Sequence, residues 1–411
     1  RRRHSNTIPC SSSSVLAAAC WFALCISLFS DRPPLFCPNM YQNQKESATE
    51  NDAAVMEYIK SAPPENEYRI LKRHLTAAVW EKYKTKKTPS GATLWDCIKS
   101  GIKMPDSKMG IYACDRESYD VFEELFQPMI LDYFQTKSFH PGKNYGDLSK
   151  KENRDVLDLK SVDTGNMIVS TRVRVARNVD AVAYAAKISP KDRIDVEDKI
   201  VQTTKKFTGD LEGGYMYMKD IPAAKQEEMV NNHILFHCKD EYIREAGMFD
   251  DWPNGRGVFY NKDQEKRAML WVNEEDHMRV ICLQKGNDLL EVYSRLIRLL
   301  GFVESNLKIA EHKKWGFLAS CPTNVGTGLR ASVHVKIPLV SADPNFKELC
   351  KDMNIDIRGV HGEHSESSDG TYDISNKNRF GRSEFEALSE MAKGVKNLLR
   401  IEQALQRAAK K

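Results

Sequence analysis

The segment Ser170-Thr171-Arg172-Val173-Arg174 sets two guanidinium groups two residues apart. On a strand both project from one face, where they repel each other unless an anion lies between them. Three more arginines stand in segments of strand-like composition: Arg279 at the end of one, Arg330 at the start of another, and Arg358 in a third. Together they could clamp a polyphosphate, because a guanidinium fork matches phosphate oxygens in pairs. Taken singly, each reads as well as a solvated strand residue in a surface ion pair.

Three other stretches carry reactive groups. Trp271-Val-Asn-Glu274-Glu275-Asp276-His277 places three consecutive carboxylates after an apolar strand. They suit a cation, whether a metal or a guanidinium, or simply form an acidic hairpin turn. In Ser320-Cys321-Pro-Thr323-Asn324-Val-Gly326-Thr-Gly328-Leu-Arg330, a cysteine opens a loop of small residues. Free backbone N–H groups there could hold an anion and lower the thiol pKa. The alternative is a buried structural cysteine. Gly362-Glu363-His364-Ser-Glu366 opens a polar segment bounded by Gly370, which reads as a lid bearing a carboxylate or as an ordinary surface loop.

The elements that must position these groups follow from pattern. From about 50 to 137 the texture is helical: Ala53–Ile59, then Tyr68–Tyr83, then a helix capped at Thr93 with Asp96 three residues on, then Ser118–Phe134. Residues 138–162 read as a linker or wrapping segment. Beyond 163, short β-rich runs alternate with turns: Met167–Val175, Gly214–Met218, Val258–Tyr260, Ala268–Val272, Met278–Leu283, Gly316–Ala319, Ala331–Ile337 and Ile355–Gly359. Helices are expected at Pro190–Lys206, Asp288–Leu300 and a long C-terminal run opened by a Ser383/Glu386 capping box. The class is therefore α+β: a small all-helical N-terminal domain, then a mainly antiparallel sheet with helices.

Composition bounds the rest. Lys and Arg number 61 against 57 Asp and Glu, a net charge of +4, of which +3 falls in residues 1–40. A body so near neutral lacks the basic face of a nucleic-acid binder. Four of ten cysteines lie in the first forty residues; the others are scattered, with no CxxC pair, which points to a reducing, cytoplasmic setting and no stable membrane association. No GxxxxGK[ST], HExxH or kinase HRD/DFG set occurs. Residues 1–45 stand apart from the core. They hold the 15-residue apolar run Val15–Phe29, and the first methionine is Met40. We read residues 1–39 as sequence upstream of a start at Met40, the alternative being a targeting segment.

Taken together, Ser170–Arg174, Trp252-Pro-Asn-Gly-Arg-Gly257, Trp271–His277, Cys321–Thr327 and Tyr372-Asp-Ile-Ser-Asn376 resemble, in order and spacing, the motifs of the phosphagen (ATP:guanidino) kinase family, over roughly 48–406. The resemblance implies a helical domain over 46–150 with the guanidino-substrate loop. It also implies a catalytic domain over 151–411 with an eight-stranded antiparallel sheet flanked by helices. By the same likeness, ATP would be bound by Ser170, Thr171, Arg172, Val173 and Arg174, by His233 and Arg279, by Arg330, Ala331, Ser332, Val333 and His334, and by Arg358, Gly359, Val360, His361, Gly362 and Glu363. Glu275 and Glu363 would grip the guanidinium, with Cys321 against it as a thiolate. Ser107, Lys108, Met109, Gly110, Ile111 and Tyr112 would form the substrate loop. That loop, Tyr133 and Glu363 are most like the arginine-kinase branch, although Lys108 and Met109 stand where Gly and Val are usual. Gly328 is more usual in creatine kinases, and Asn231-Asn232 precede His233 where two Asp are usual.

The implied reaction is in-line transfer of the γ-phosphoryl of MgATP to L-arginine, giving phosphoarginine and ADP. Magnesium would be carried by the nucleotide, with no protein metal site, in a monomer or homodimer. A taurocyamine or other guanidino kinase is the near alternative. A non-catalytic nucleotide-binding scaffold is the remote one.

Overall fold

The computed structural model describes residues 47–61, 69–359 and 370–410. Its centre is a sheet of eight antiparallel strands: β1 (Ile168–Arg177), β2 (Gly213–Tyr217), β3 (Gly257–Asn261), β4 (Lys266–Val272), β5 (Met278–Lys285), β8 (Leu329–Lys336), β9 (Ile355–Gly359) and β10 (Thr371–Asn376). They are ordered β2-β3-β4-β5-β1-β8-β10-β9, while β6 (Glu311–His312) and β7 (Gly316–Phe317) pair apart from it.

The sheet is two-faced because side chains alternate along each strand. Thr171, Val173 and Val175 of β1 lie opposite Gln284, Cys282 and Val280 of β5. On the other side Val173 lies opposite Ala331 and Thr171 opposite Val333 of β8. This face is buried against two amphipathic helices, Leu289–Asn306 and Glu384–Ala408, whose Val292, Leu296, Leu299, Leu388, Val395 and Leu398 join the same apolar cluster. The even-numbered residues of β1 face away from that core. Arg172 is paired across to Ser332, Arg174 to Arg330, and Ala176 to Arg279. Farther out, Asp373 of β10 lies opposite His334 and Arg358. The strand alternation that buries valines thus collects arginines on the opposite surface.

The helical part differs in detail from the sequence reading. Ser47 caps a helix from Ala48 to Lys60 with a full capping box, one turn longer at its start than expected. The stretch ending at Tyr83 is two helices, Ile70–His74 and Ala77–Tyr83. Leu75 turns extended, and the Thr76 side chain caps the second by accepting from the Val79 N–H. Ser118–Phe134 likewise divides at Phe122. The Thr93/Asp96 and Ser383/Glu386 capping boxes are present as read. The segment read as a linker holds a helix at Lys151–Leu157. The Tyr372–Asn376 motif forms a strand of its own, β10, and Arg279 opens its strand rather than ending it. Among the described residues, no helix is long and apolar enough to cross a membrane.

The helical core does not close on itself. Trp315, Leu318, Val325 and Phe380, all from beyond β5, pack with Tyr119, Phe122, Phe126 and Met129. The Tyr119 hydroxyl donates to the Ala319 carbonyl at 2.6 Å, and the Ala113 N–H donates to that of Ser320 at 2.7 Å. These bonds bring the loop that ends at Tyr112 against the one that begins at Cys321.

Candidate active site

Between that helical part and the polar face of the sheet lies a cavity of about 700 Å³. Its sheet side carries Arg174, Arg279, Arg330 and Arg358; its far side carries Ser107, Lys108, Met109, Tyr112 and Tyr133; Glu274, Glu275 and Cys321 stand between.

The arginines are crowded. Burial pushes Arg172 down to about 10, and the neighbouring Arg330 and Arg279 push the same way. Arg174 falls well below its ordinary value, through burial and then through Arg279, Arg172 and Arg330. A cluster that destabilises its own charges suits a polyanion. Arg330 offsets part of its charge by donating to Asp373 at 2.6 Å, and Arg358 donates to Asp356 at 3.3 Å.

Arg279 is held by the acidic turn. Its Nη2 donates to Glu275 Oε2 at 2.6 Å, and its Nη1 lies 2.8 Å from Glu274 Oε2. Glu275 is only 9 % exposed. Burial raises its pKa to about 7 against the opposing pull of Arg279. The turn is fixed from beneath. Asp276 Oδ1 accepts from the Ser320 N–H at 2.7 Å and from Asn178 Nδ2 at 2.6 Å. His277 accepts the Val179 N–H at 3.0 Å, and burial lowers its pKa to about 4, which keeps it neutral. One network therefore sets the carboxylate of Glu275 relative to the Cys321 loop.

Cys321 lines the cavity, but not as the exposed thiolate the sequence suggested. Burial, followed by the negative charge of Glu275, raises its pKa to about 12. A 3.1 Å contact with Thr323 Oγ1 offsets this only in part. The free backbone N–H groups expected of its loop do not outweigh that carboxylate.

Not every residue named from sequence reaches the cavity. Gly110 and Ile111 turn to the helical core; Gly110 takes φ +75°, and a Cβ there would fall 2.8 Å from that of Leu71. The side chains of Val173, Ala331 and Val333 lie in the apolar core, and that of Thr171 is buried on the same face with its hydroxyl donating to the Gly286 carbonyl at 2.8 Å, so only their backbone could meet a ligand. Arg172, with its guanidinium carbon 5.9 Å from the Trp271 ring, continues the polar face past the cavity wall, as do Ser170, Ser332 and His334 by register. His233 is exposed, on a turn at φ +56°. Gly359 ends β9, and Val360, His361, Gly362 and Glu363 lie outside the described residues. Sequence reading passed over Arg69, Asp240, Tyr242 and Arg379, which also line the cavity. Each sits in or beside a short irregular segment, where no period marks a direction.

Comparison with known proteins gives the arrangement its context. Residues 65–131 match the ATP:guanido phosphotransferase N-terminal domain, and residues 195–405 match its C-terminal catalytic domain. An arginine kinase of Liolophura japonica is 44 % identical over 337 residues, covering 82 % of this chain and 94 % of that protein. The substrate-free duplicated taurocyamine kinase from Schistosoma mansoni superposes with a TM-score of 0.80 at 38 % identity over 89 % of this chain; the chain spans half the length of that protein. A lombricine kinase superposes at 0.75 with 29 % identity, over 90 % of this chain and 98 % of its own. Matched by both domain models and by a relative of nearly its own core length, the chain belongs to the ATP:guanido phosphotransferase family.

Proposed function

We propose that the protein is a guanidino kinase that reversibly moves the γ-phosphoryl of MgATP to L-arginine, buffering ATP in the cytoplasm. The observation that carries this reading is the cavity itself. An arginine-crowded sheet face meets Glu275 and Cys321 on one side and the short Ser107–Tyr112 loop on the other.

In this reading residues 151–411 hold the nucleotide and 46–150 supply the acceptor's outer contacts. Arg172, Arg174, Arg279, Arg330 and Arg358 bind phosphate oxygens and offset the charge spread over them in the transition state. In this reading the magnesium that neutralises phosphate charge is carried by the nucleotide, while Glu274 and Glu275 pair with Arg279. Glu275, with Glu363 as a second carboxylate, orients the planar guanidinium. A guanidino nitrogen attacks the γ-phosphorus as the bridging P–O bond breaks, and ADP leaves with that electron pair. Glu275 takes the proton that nitrogen loses, a task suited to a carboxylate near pH 7.

A taurocyamine kinase is the second reading, and Lys108 favours it. Its ammonium lines the cavity 5.7 Å from the centre of the Tyr133 ring, where it would suit a sulfonate. A coupled assay of ADP formation with a panel of guanidino compounds separates the readings. Arginine is expected to exceed creatine by up to about 10⁴-fold in kcat/KM, because creatine leaves buried polar groups unpaired. Faster turnover of taurocyamine would move the assignment to the second reading. No turnover of any guanidino compound, with nucleotide still bound, would leave a scaffold.

A further inference from the structure

Arg379 has no part in the scheme above, yet it touches the loop on which that scheme depends. It lies just beyond β10, off the sheet, and its side chain reaches back into the cavity wall. Its Nη1 donates to the Thr323 carbonyl at 3.2 Å and to Asn324 Oδ1 at 2.5 Å. Its own carbonyl accepts the Thr327 N–H at 2.9 Å and the Thr327 hydroxyl at 3.1 Å. One residue thus holds the Cys321 loop at two places. The fit is close: Gly326 takes φ +92°, and a Cβ there would stand 2.4 Å from the Arg379 carbonyl oxygen.

The bond to Asn324 also has a direction. A carboxamide has an accepting end and a donating end, whereas a guanidinium only donates. Arg379 therefore draws Oδ1 toward itself and turns Nδ2 the other way. That nitrogen faces Glu275 Oε2, at 3.5 Å. The same oxygen accepts from Arg279. The carboxylate is so placed between a strand arginine and an amide whose orientation a loop arginine sets.

We propose that Arg379 is a positioning residue for phosphoryl transfer, fixing the Asn324 amide toward Glu275 and holding the Cys321 loop in register with it. This rests on the guanidino-kinase reading. The competing role is a further phosphate ligand, since Arg379 is near Arg330 and Arg358. The two roles differ in what they move. A phosphate ligand sets nucleotide affinity, whereas a residue acting through Asn324 sets the proton affinity of Glu275. Losing a donor to a carboxylate disfavours its charged form and raises its pKa.

The test uses the full chain and four variants: Arg379→Gln, Arg379→Lys, Asn324→Ala and the double Arg379→Gln/Asn324→Ala, each checked for folding by thermal melting. Two quantities are read: steady-state kinetics against pH, and the titration of Glu275 in ligand-free protein by carboxyl ¹³C NMR, assigned with Glu275→Gln. For Arg379→Gln, kcat is expected to fall about 10–100-fold while MgATP affinity stays within about threefold, since misplacement costs turnover rather than binding. The Glu275 titration and the acid limb of kcat/KM should both move to higher pH. Arg379→Lys should lie between, and the double variant should lose less than the product of the two single losses, because residues acting in series are not additive. An unmoved Glu275 titration, additive losses, or a loss of nucleotide affinity matching the loss of kcat would each overturn the proposal. If the unmodified protein phosphorylates no guanidino compound, the kinase reading fails. The ligand-free titration still decides whether Arg379 acts on Glu275, and an unmoved one overturns that too.

Discussion

Glu275 and Cys321 share one pocket, and the charge of one sets the state of the other. Burial raises the pKa of both, and the carboxylate adds to the rise at sulfur. The sign follows directly. Below about pH 7 Glu275 keeps its proton in the free protein and cannot accept another, so kcat/KM for phosphorylation of the guanidino group should climb with pH through about 7. Glu275→Gln should remove that limb and cost roughly 10²–10³-fold in kcat, as for the loss of one charge-assisted bond in the transition state. A pH–rate profile in which the variant keeps the limb would assign it to another group. The Cys321 thiol calls for the opposite expectation from that of an activated nucleophile. In ligand-free protein its alkylation by iodoacetamide should be slow at pH 8 and still rising at pH 10, since only the thiolate reacts. A plateau by pH 7 in mass-spectrometric labelling of Cys321 would contradict this. Its place in the cavity was legible from the residues around it. Its protonation state was not, because that depends on a carboxylate 46 positions earlier in the chain.

At the scale of the element, β1 shows what could be read from sequence and what could not. Alternation over Ser170–Arg174 placed two arginines on one face, and the register with β5 and β8 keeps them there. Pattern did not indicate that Arg330 would lie directly opposite Arg174, because register is set by pairing across long connections. That crowding has an energetic consequence. Arg174, half-buried in the cavity wall, stands among like charges that disfavour its own charged form, so it is expected to weaken the ligand-free fold. Arg174→Met keeps the length of the side chain and removes the charge. Replacing buried charge with apolar volume is often stabilising, here by about 1 kcal/mol. Nucleotide affinity should fall about 10–100-fold, the value of one bond to a charged group. Urea unfolding beside nucleotide titration checks both signs; a variant less stable than its parent would show that the cluster is not strained. Breaks in helices were the other unread feature. Leu75 and Phe122 carry no proline or glycine signal, and the chain turns there to place apolar side chains rather than to satisfy local propensity.

At the scale of the molecule, the boundary expected near residue 150 does not separate the apolar cores. The helical region reads from sequence as a domain in its own right because helical patterning runs from about 50 to 137 before the polar stretch at 138–162. Yet Trp315, Leu318, Val325 and Phe380 fill its apolar cluster from the other side, and Tyr119 and Ala113 spend their hydrogen bonds on Ala319 and Ser320. No local pattern shows this, since the partners are some two hundred residues apart. The same contacts bring the substrate loop against the Cys321 loop, so the geometry of the site depends on the two regions folding together. A fragment of residues 47–150 should therefore fail to fold alone. It would expose the faces of Tyr119, Phe122, Phe126 and Met129, and removing a large aromatic from a core costs about 3–5 kcal/mol, a large share of what a domain this size can spare. Poor amide dispersion and a weak near-ultraviolet signal from the fragment are the expected result. A cooperative thermal transition would show instead that the cross-boundary aromatics only dock onto a finished domain. Mixing the fragment with residues 151–411 distinguishes these cases further. Recovery of structure on mixing, together with nucleotide-dependent phosphorylation of arginine, is expected if the shared core assembles the site.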